Sequence, residues 1–264
     1  MIRQKVIFGS EFYMSDKKKR YTVLDVLRGI AVLAMIAYHT LWDLVCVHHV
    51  DLPWFYSDGM SVFRMSIRWA FILISGFSWS LGRKRLRRGI TVFLAGILIT
   101  AVTMIIMPRD VIIFGVLTFL GSAMLLTIPL DKLFKRLSPY AGLVVSVIAF
   151  LITLDIKDGY LGFFGLRICG LPSFLYANYF TSYLGFLSPS FSSSDYVPLI
   201  PWIFLFWFGY FLYRIFEKNQ WLKYLSCFSF KPLEWVGRHA LIIYVIHQPL
   251  ISGILYLWFN VLMK

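Results

Sequence analysis

Long runs of apolar residues, separated by short polar connections, dominate the chain. A membrane-spanning helix needs roughly 20 mostly apolar residues, and seven stretches approach or exceed that length. Five of them contain no Asp, Glu, Lys or Arg, whereas the first two carry charged residues within apolar surroundings. The predicted spans are 23–46, 62–81, 89–108, 111–130, 137–154, 196–213 and 240–263. This pattern predicts an all-α, polytopic membrane helix bundle with about seven transmembrane helices.

One further apolar segment, 160–187, is interrupted by Gly162, Gly165, Gly170 and Pro172. Glycine and proline are the residues that a helix interior tolerates least. We therefore interpret this segment as an interfacial or re-entrant excursion. The alternative is that it adds an eighth span.

The composition excludes an ordinary soluble enzyme, a disordered protein and a nucleic-acid-binding protein. Hydrophobic residues make up 59% of the 264 residues and charged residues 15%, and the mean hydropathy is +0.73. Soluble domains carry about 25% charged residues, and a soluble core of this size cannot bury such an apolar excess. We therefore expect a lipid bilayer as partner and no nucleic acid. Cys46, Cys169 and Cys227 are widely spaced without a CxxC pair, so we expect no metal site.

The net charge of +13 is unevenly distributed. Nineteen of the 26 Lys and Arg residues lie in residues 1–20 and in alternate connections between the predicted spans. Basic residues concentrate in cytoplasmic loops, so this alternation predicts a cytoplasmic N-terminus. We expect residues 1–20 to form a cytoplasmic tail and residues 21–264 to form one transmembrane domain, multi-pass in a cell membrane.

Four polar residues, Asp25, Arg28, His39 and Asp43, interrupt the first predicted span. At about 100° per residue, Arg28 and His39 lie within ~20° of each other on the helical wheel, and each aspartate lies ~60° from Arg28. Charged groups are costly inside a bilayer and usually face protein or a water-filled cavity. We therefore expect all four to line one interior groove about 27 Å long.

His39 and Asp43 form an i, i+4 pair. A carboxylate at that spacing orients an imidazole and raises its basicity, as a general base requires. The alternative is that the histidine only packs between helices and that Asp25 and Asp43 are residues of the helix ends.

Polar residues also interrupt the last span and precede the sixth. Tyr244 and His247 lie three residues apart on one face, followed by Gln248 and Pro249. They are candidates for the same site, although His247 alternatively serves only as a hydrogen-bonding residue between helices. Asp195, in the stretch SSSDYVPLIPW, is predicted to lie at the outer mouth of the bundle.

Four blocks of sequence carry a resemblance to a known family. They are LDVLRGIAVLAMIAYHTLWDL in the first span, FGVLTFLG in the fourth, DYVPLIPW before the sixth and VGRHALIIYVIHQPL in the last. Together and in this order they resemble the bacterial branch of the heparan-alpha-glucosaminide N-acetyltransferase catalytic-domain-like family of membrane proteins. The spacing of Arg28 and His39 is also similar to the first-span motif of the acyltransferase type 3 family.

The resemblance implies acyl transfer across a membrane, here the bacterial plasma membrane. Acetyl-CoA or another acyl-CoA is the implied co-substrate on the cytoplasmic side. The implied acceptor is a hydroxyl or amine of a glycan or cell-envelope molecule, and a homo-oligomer is left open. His39 matches the essential histidine of the acyltransferase type 3 motif. The lysosomal enzyme of eukaryotes carries its proposed catalytic histidine somewhat later, where this chain has His48 and His49, so the resemblance leaves either of these as an alternative base.

These observations give one mechanistic hypothesis and two rivals. In the hypothesis, His39, supported by Asp43, is the general base, and Arg28, beside Asp25, binds the donor. Tyr244, His247 and Gln248 position the acyl carbonyl, and Asp195 contacts substrate at the mouth. The first rival is a non-enzymatic, proton-coupled transporter or carrier that uses the same polar residues of the first span as an ion path. The second is a haem protein ligated by His39 and His247.

Overall fold

The computed structural model describes residues 21–262, so the predicted tail, residues 1–20, lies outside the described residues. Within them, a long helix coincides with each of the seven predicted spans, which confirms the predicted bundle. The helices are α1 (Thr22–Trp42), α2 (Asp58–Trp79), α3 (Arg85–Ile106), α4 (Val116–Phe134), α5 (Pro139–Ile152), the short α6 (Tyr179–Leu184), α7 (Trp202–Lys218), the short α8 (Lys231–Arg238) and α9 (Ala240–Leu257).

Six of the long helices are long and apolar enough to cross a membrane, and α7 falls just outside that group. It has 17 residues, the lower end of the roughly 17–25 that span a bilayer. It packs against α2 and α5, and its residues Phe206 and Tyr210 are completely buried. The chain is therefore a membrane protein in which α7 lies inside the bundle.

Close backbone contacts hold the helix pairs in place. A Cβ atom on Gly76 of α2 would lie 2.0 Å from the carbonyl oxygen of Phe206 in α7. A Cβ atom on Gly29 of α1 would lie 2.2 Å from the carbonyl oxygen of Leu233 in α8. Small residues allow membrane helices to approach this closely. The α2–α7 and α1–α8 pairs therefore depend on glycine at these two positions.

The helix α4 extends past its predicted end because a buried charge finds partners. The predicted fourth span ends at residue 130, but α4 continues through Asp131 to Phe134. The Asp131 carboxylate pairs with Arg85 at 2.8 Å and with Lys135 at 2.8 Å, and it accepts a hydrogen bond from the Tyr210 hydroxyl at 2.7 Å. The helix α7 begins at Trp202, six residues after the predicted start of its span, and ends at Lys218, five residues beyond the predicted end.

The segment 160–187 contains no membrane-length helix, as the described residues show. An antiparallel hairpin of β1 (Tyr160–Phe163) and β2 (Leu166–Gly170) is followed by a short helical turn and α6. The interpretation as a non-spanning excursion is confirmed, and the eighth-span alternative is wrong. The hairpin is also the one departure from the predicted all-α class among the residues described.

Candidate active site

A cavity of about 800 Å³ lies between α1, α2, α3, α4 and α9. Cavities of roughly 300–1,000 Å³ accommodate small-molecule ligands, typically with an apolar lining and a few fixed polar groups. This cavity follows that description. Its polar lining includes His39, Thr118, Asp195, Tyr244, His247 and Gln248. Five of the eight predicted site residues therefore line a single cavity.

The two predicted histidines meet inside this cavity. His39 lies at the end of α1 and His247 lies within α9, and their ring centroids are 5.0 Å apart in an edge-to-face arrangement. The packing of α1 against α9 brings them together. Because the rings contact each other directly, they do not flank a haem in this arrangement.

One hydrogen bond of the His247 ring fixes its tautomer. The Nδ1 atom lies 2.6 Å from the carbonyl oxygen of Tyr244, and a carbonyl only accepts, so Nδ1 carries a proton. The Nε2 atom is buried and has no hydrogen-bond partner among residues 21–262. Unpartnered buried polar atoms are rare in proteins and often belong to functional groups. In the neutral ring this Nε2 is a free proton acceptor next to His39.

Asp43 is located where α1 passes into a π-helical turn, Asp43–Val47. Its carboxylate is only 1% exposed. One carboxylate oxygen accepts from the side-chain amide of Gln248 at 2.7 Å, and the other accepts from the Ser252 hydroxyl at 2.9 Å. No hydrogen bond joins Asp43 to His39 among the described residues: the carboxylate connects α1 to α9 instead. It fixes Gln248, the residue next to His247, and leaves the buried Gln248 Oε1 without a partner among the described residues.

Asp25 and Arg28 lie apart from this cavity. Arg28 forms an ion pair with Asp25 at 2.9 Å and donates a hydrogen bond to the Ser78 hydroxyl at 3.0 Å. Neither residue lines the cavity that contains the histidines. The predicted continuous groove along α1 is therefore wrong. The four polar residues of the first span therefore lie in three different places. Asp25 and Arg28 pair with each other, His39 lines the cavity, and Asp43 contacts α9.

Asp195 lines the cavity from a turn in the loop before α7. Backbone hydrogen bonds hold this segment against the residues before α4, from Ser194 N to Val111 O at 3.1 Å and from Val197 N to Phe114 O at 2.9 Å. The Asp195 carboxylate pairs with Arg68 of α2 at 3.2 Å. The lining of the cavity therefore presents a partly exposed ion pair to a ligand.

Tyr196, next to Asp195, does not belong to the described lining of the cavity. Its hydroxyl donates a hydrogen bond to the carbonyl oxygen of Ser182 at 2.5 Å, and burial raises the pKa of this phenol. It therefore remains neutral and serves to anchor the segment that carries Asp195.

Arg68 and Ser252 also line the cavity, although neither is a predicted site residue. A signal for Arg68 was present, since Arg64 and Arg68 lie one turn apart inside a predicted span. Conversely, His48 and His49 do not belong to the lining that the structure describes. His48 stacks on Phe259 at 4.5 Å between ring centroids, and His49 is exposed.

Comparison with known families decides which proteins this chain is related to. The family model for the catalytic domain of heparan-alpha-glucosaminide N-acetyltransferase matches residues 20–249. The chain belongs to this family. The match extends from the start of α1 to Pro249, so it includes every predicted site residue. Comparison with curated proteins and with solved structures gave no match. Membership of the heparan-alpha-glucosaminide N-acetyltransferase family identifies the chain as a membrane protein of an acetyltransferase family.

Proposed function

We propose that the protein transfers an acetyl or other acyl group from acyl-CoA to a hydroxyl or amine of a glycan or cell-envelope acceptor. The observation that carries this proposal is the contact between His39 and His247 inside a cavity large enough for both reacting groups. Family membership supplies the reaction class. The basic connections that follow α2 and α4 support a cytoplasmic location for that end of the helix bundle and for the N-terminus.

The chemistry needs one group that removes a proton and others that stabilise the developing charge. His39 acts as general base and takes the proton of the acceptor hydroxyl or amine. The acceptor atom then bonds to the thioester carbonyl carbon, and the carbon–sulfur bond breaks to release CoA thiolate. The Tyr244 hydroxyl donates to the oxyanion that forms on the carbonyl oxygen. His247 contacts His39 and completes the proton-transfer pair, with its protonated Nδ1 held by a backbone carbonyl.

The remaining predicted residues bind or position. Asp43 acts through Gln248 and Ser252 and is a positioning residue. The unpartnered Gln248 Oε1 is suited to accept a hydrogen bond from the acceptor. Asp195 and Arg68 contact the acceptor at the mouth, and Arg28, with Asp25, acts at the donor end.

The test uses the full-length protein purified in detergent and mixed with acetyl-CoA and a panel of amine and hydroxyl glycans. We expect release of free CoA that depends on the acceptor, with acetylated acceptor detected by mass spectrometry. The same protein in liposomes distinguishes the rival function. Acceptor flux into liposomes without release of CoA would support a transporter and contradict the proposal.

A further inference from the structure

Basic side chains gather around a second cleft at the beginning of α3. This cleft has a volume of about 350 Å³ and lies between α3 and the first turn of α9. Its lining consists of Lys84, Arg87, Arg88, Thr91, Val92 and Leu241. Three of these six residues are cationic, so the cleft is suited to an anion.

The positive charge of the cleft is not balanced within the described part of the chain. Arg88 donates a hydrogen bond to the carbonyl oxygen of Ser78 at 3.2 Å, the same residue whose hydroxyl binds Arg28. Arg28 has Asp25 as its carboxylate partner, whereas no described carboxylate pairs with Lys84, Arg87 or Arg88. Guanidinium groups bind phosphate oxygens strongly. A bound anion would supply the negative charge that balances these three cationic side chains.

The cleft and the histidine cavity lie end to end along the same pair of helices. On α3, the cleft extends to Val92 and the cavity begins at Gly96. On α9, the cleft extends to Leu241 and the cavity begins at Tyr244. About one helical turn therefore separates the two hollows on both helices.

We propose that Lys84, Arg87 and Arg88 bind the phosphate groups of the acyl donor, and that its acyl-bearing arm follows α3 and α9 to the histidines. This inference rests on the proposed function. The arm from phosphate to sulfur has about as many bonds as four residues of chain, so its reach is roughly 15 Å. Leu241 and His247 are six residues apart on α9, about 9 Å along the axis. The arm is long enough to place the thioester beside His247.

Phosphate groups near a membrane come from two sources, the donor and anionic lipids. The alignment of the cleft with the cavity favours the donor, because a lipid headgroup has no need of a path towards the histidines. The two sources are separable by the ligand and by the lipid that is used in a binding assay.

The experiment measures binding of acetyl-CoA and of S-acetylpantetheine, which lacks the phosphates, to full-length protein in nanodiscs by calorimetry. The test variant is K84Q/R87Q, since both side chains are exposed and their loss leaves the core intact. R88Q is a second variant. The matched control is R83Q, an exposed charge of the same turn that does not line the cleft. The assay runs in nanodiscs of phosphatidylcholine alone and of phosphatidylcholine with phosphatidylglycerol.

We expect K84Q/R87Q to weaken acetyl-CoA binding at least about tenfold, as the loss of charge-assisted hydrogen bonds predicts. Binding of S-acetylpantetheine should not change, and R83Q should behave like the wild type. Equal affinity of the wild type for both ligands would overturn the inference while leaving the acyltransferase proposal standing. If K84Q/R87Q changes acetyl-CoA binding only in nanodiscs that contain phosphatidylglycerol, the cleft binds lipid phosphate, and the donor assignment is overturned. Absence of binding by both ligands would contradict the acyltransferase proposal as well.

Discussion

Replacing Asp43 tests whether its carboxylate holds α1 against α9 or acts on His39. Its two oxygens accept hydrogen bonds from Gln248 and Ser252 at 2.7 and 2.9 Å, and the side chain is fully buried. D43A leaves both donors without their partner, which costs about 1–3 kcal/mol for each buried group. The expected loss in the free energy of unfolding is therefore about 2–6 kcal/mol. In D43N, the side-chain oxygen still accepts a hydrogen bond from the Gln248 amide, and the new NH2 group can donate one to the Ser252 hydroxyl oxygen. The free energy of unfolding should therefore fall by only about 1 kcal/mol.

The assay combines equilibrium unfolding in mixed micelles with the rate of CoA release. D43N should unfold near the wild-type denaturant concentration and retain at least about one tenth of wild-type activity, since His247 keeps its position. D43A should lose stability and activity together. The reasoning is refuted if D43N is as stable as the wild type yet as inactive as a His39 variant. That result would mean that the carboxylate charge acts directly on His39.

Three further changes probe the packing, the oxyanion and the mouth. G76A should destabilise the protein by about 1–3 kcal/mol because the added methyl group overlaps α7, whereas G253A, with open space around it, should be neutral in the same unfolding assay. Y244F should lower kcat at least about tenfold and leave the KM for acyl-CoA unchanged, because it removes an oxyanion donor; an unchanged kcat would remove Tyr244 from the mechanism. D195N breaks a partly exposed ion pair with Arg68 and should raise the acceptor KM about fivefold, as the loss of roughly 1 kcal/mol implies. An effect of D195N on donor KM alone would contradict its location at the acceptor mouth.

The number of long helices was predictable because the thickness of the bilayer sets the length of an apolar run, whereas the short α6 and α8 were not predicted. The helix ends were less predictable. Asp131 interrupts the apolar run, yet it lies inside α4 because Arg85 and Tyr210 pair with it from distant positions in the chain. A charge that is compensated by a residue far away in sequence gives no local signal.

The site was predictable as a set of residues but not as an arrangement. Helical periodicity and the cost of buried polar groups identified His39 and His247. Their contact depends on α1 packing against α9, which the pattern along one chain does not reveal. The spacing of His39 and Asp43 is α-helical, as the pattern predicts, since the Asp43 N–H bonds to the His39 carbonyl oxygen. The carboxylate nevertheless accepts its hydrogen bonds from Gln248 and Ser252 on α9, which are partners that the pattern of α1 does not reveal.

The central claim is that His39 and His247 form the reacting centre, and one comparison tests it most directly. The rate of acceptor-dependent CoA release is measured for the purified wild type and for H39A, H247A and H48A, each first checked for insertion and folding. General-base catalysis contributes about 10²–10⁴ to the rate, so H39A should lose at least about 100-fold, and H247A should also lose most activity. H48A, outside the cavity, should retain the wild-type rate. Wild-type activity in H39A, or loss of activity in H48A alone, would contradict the account.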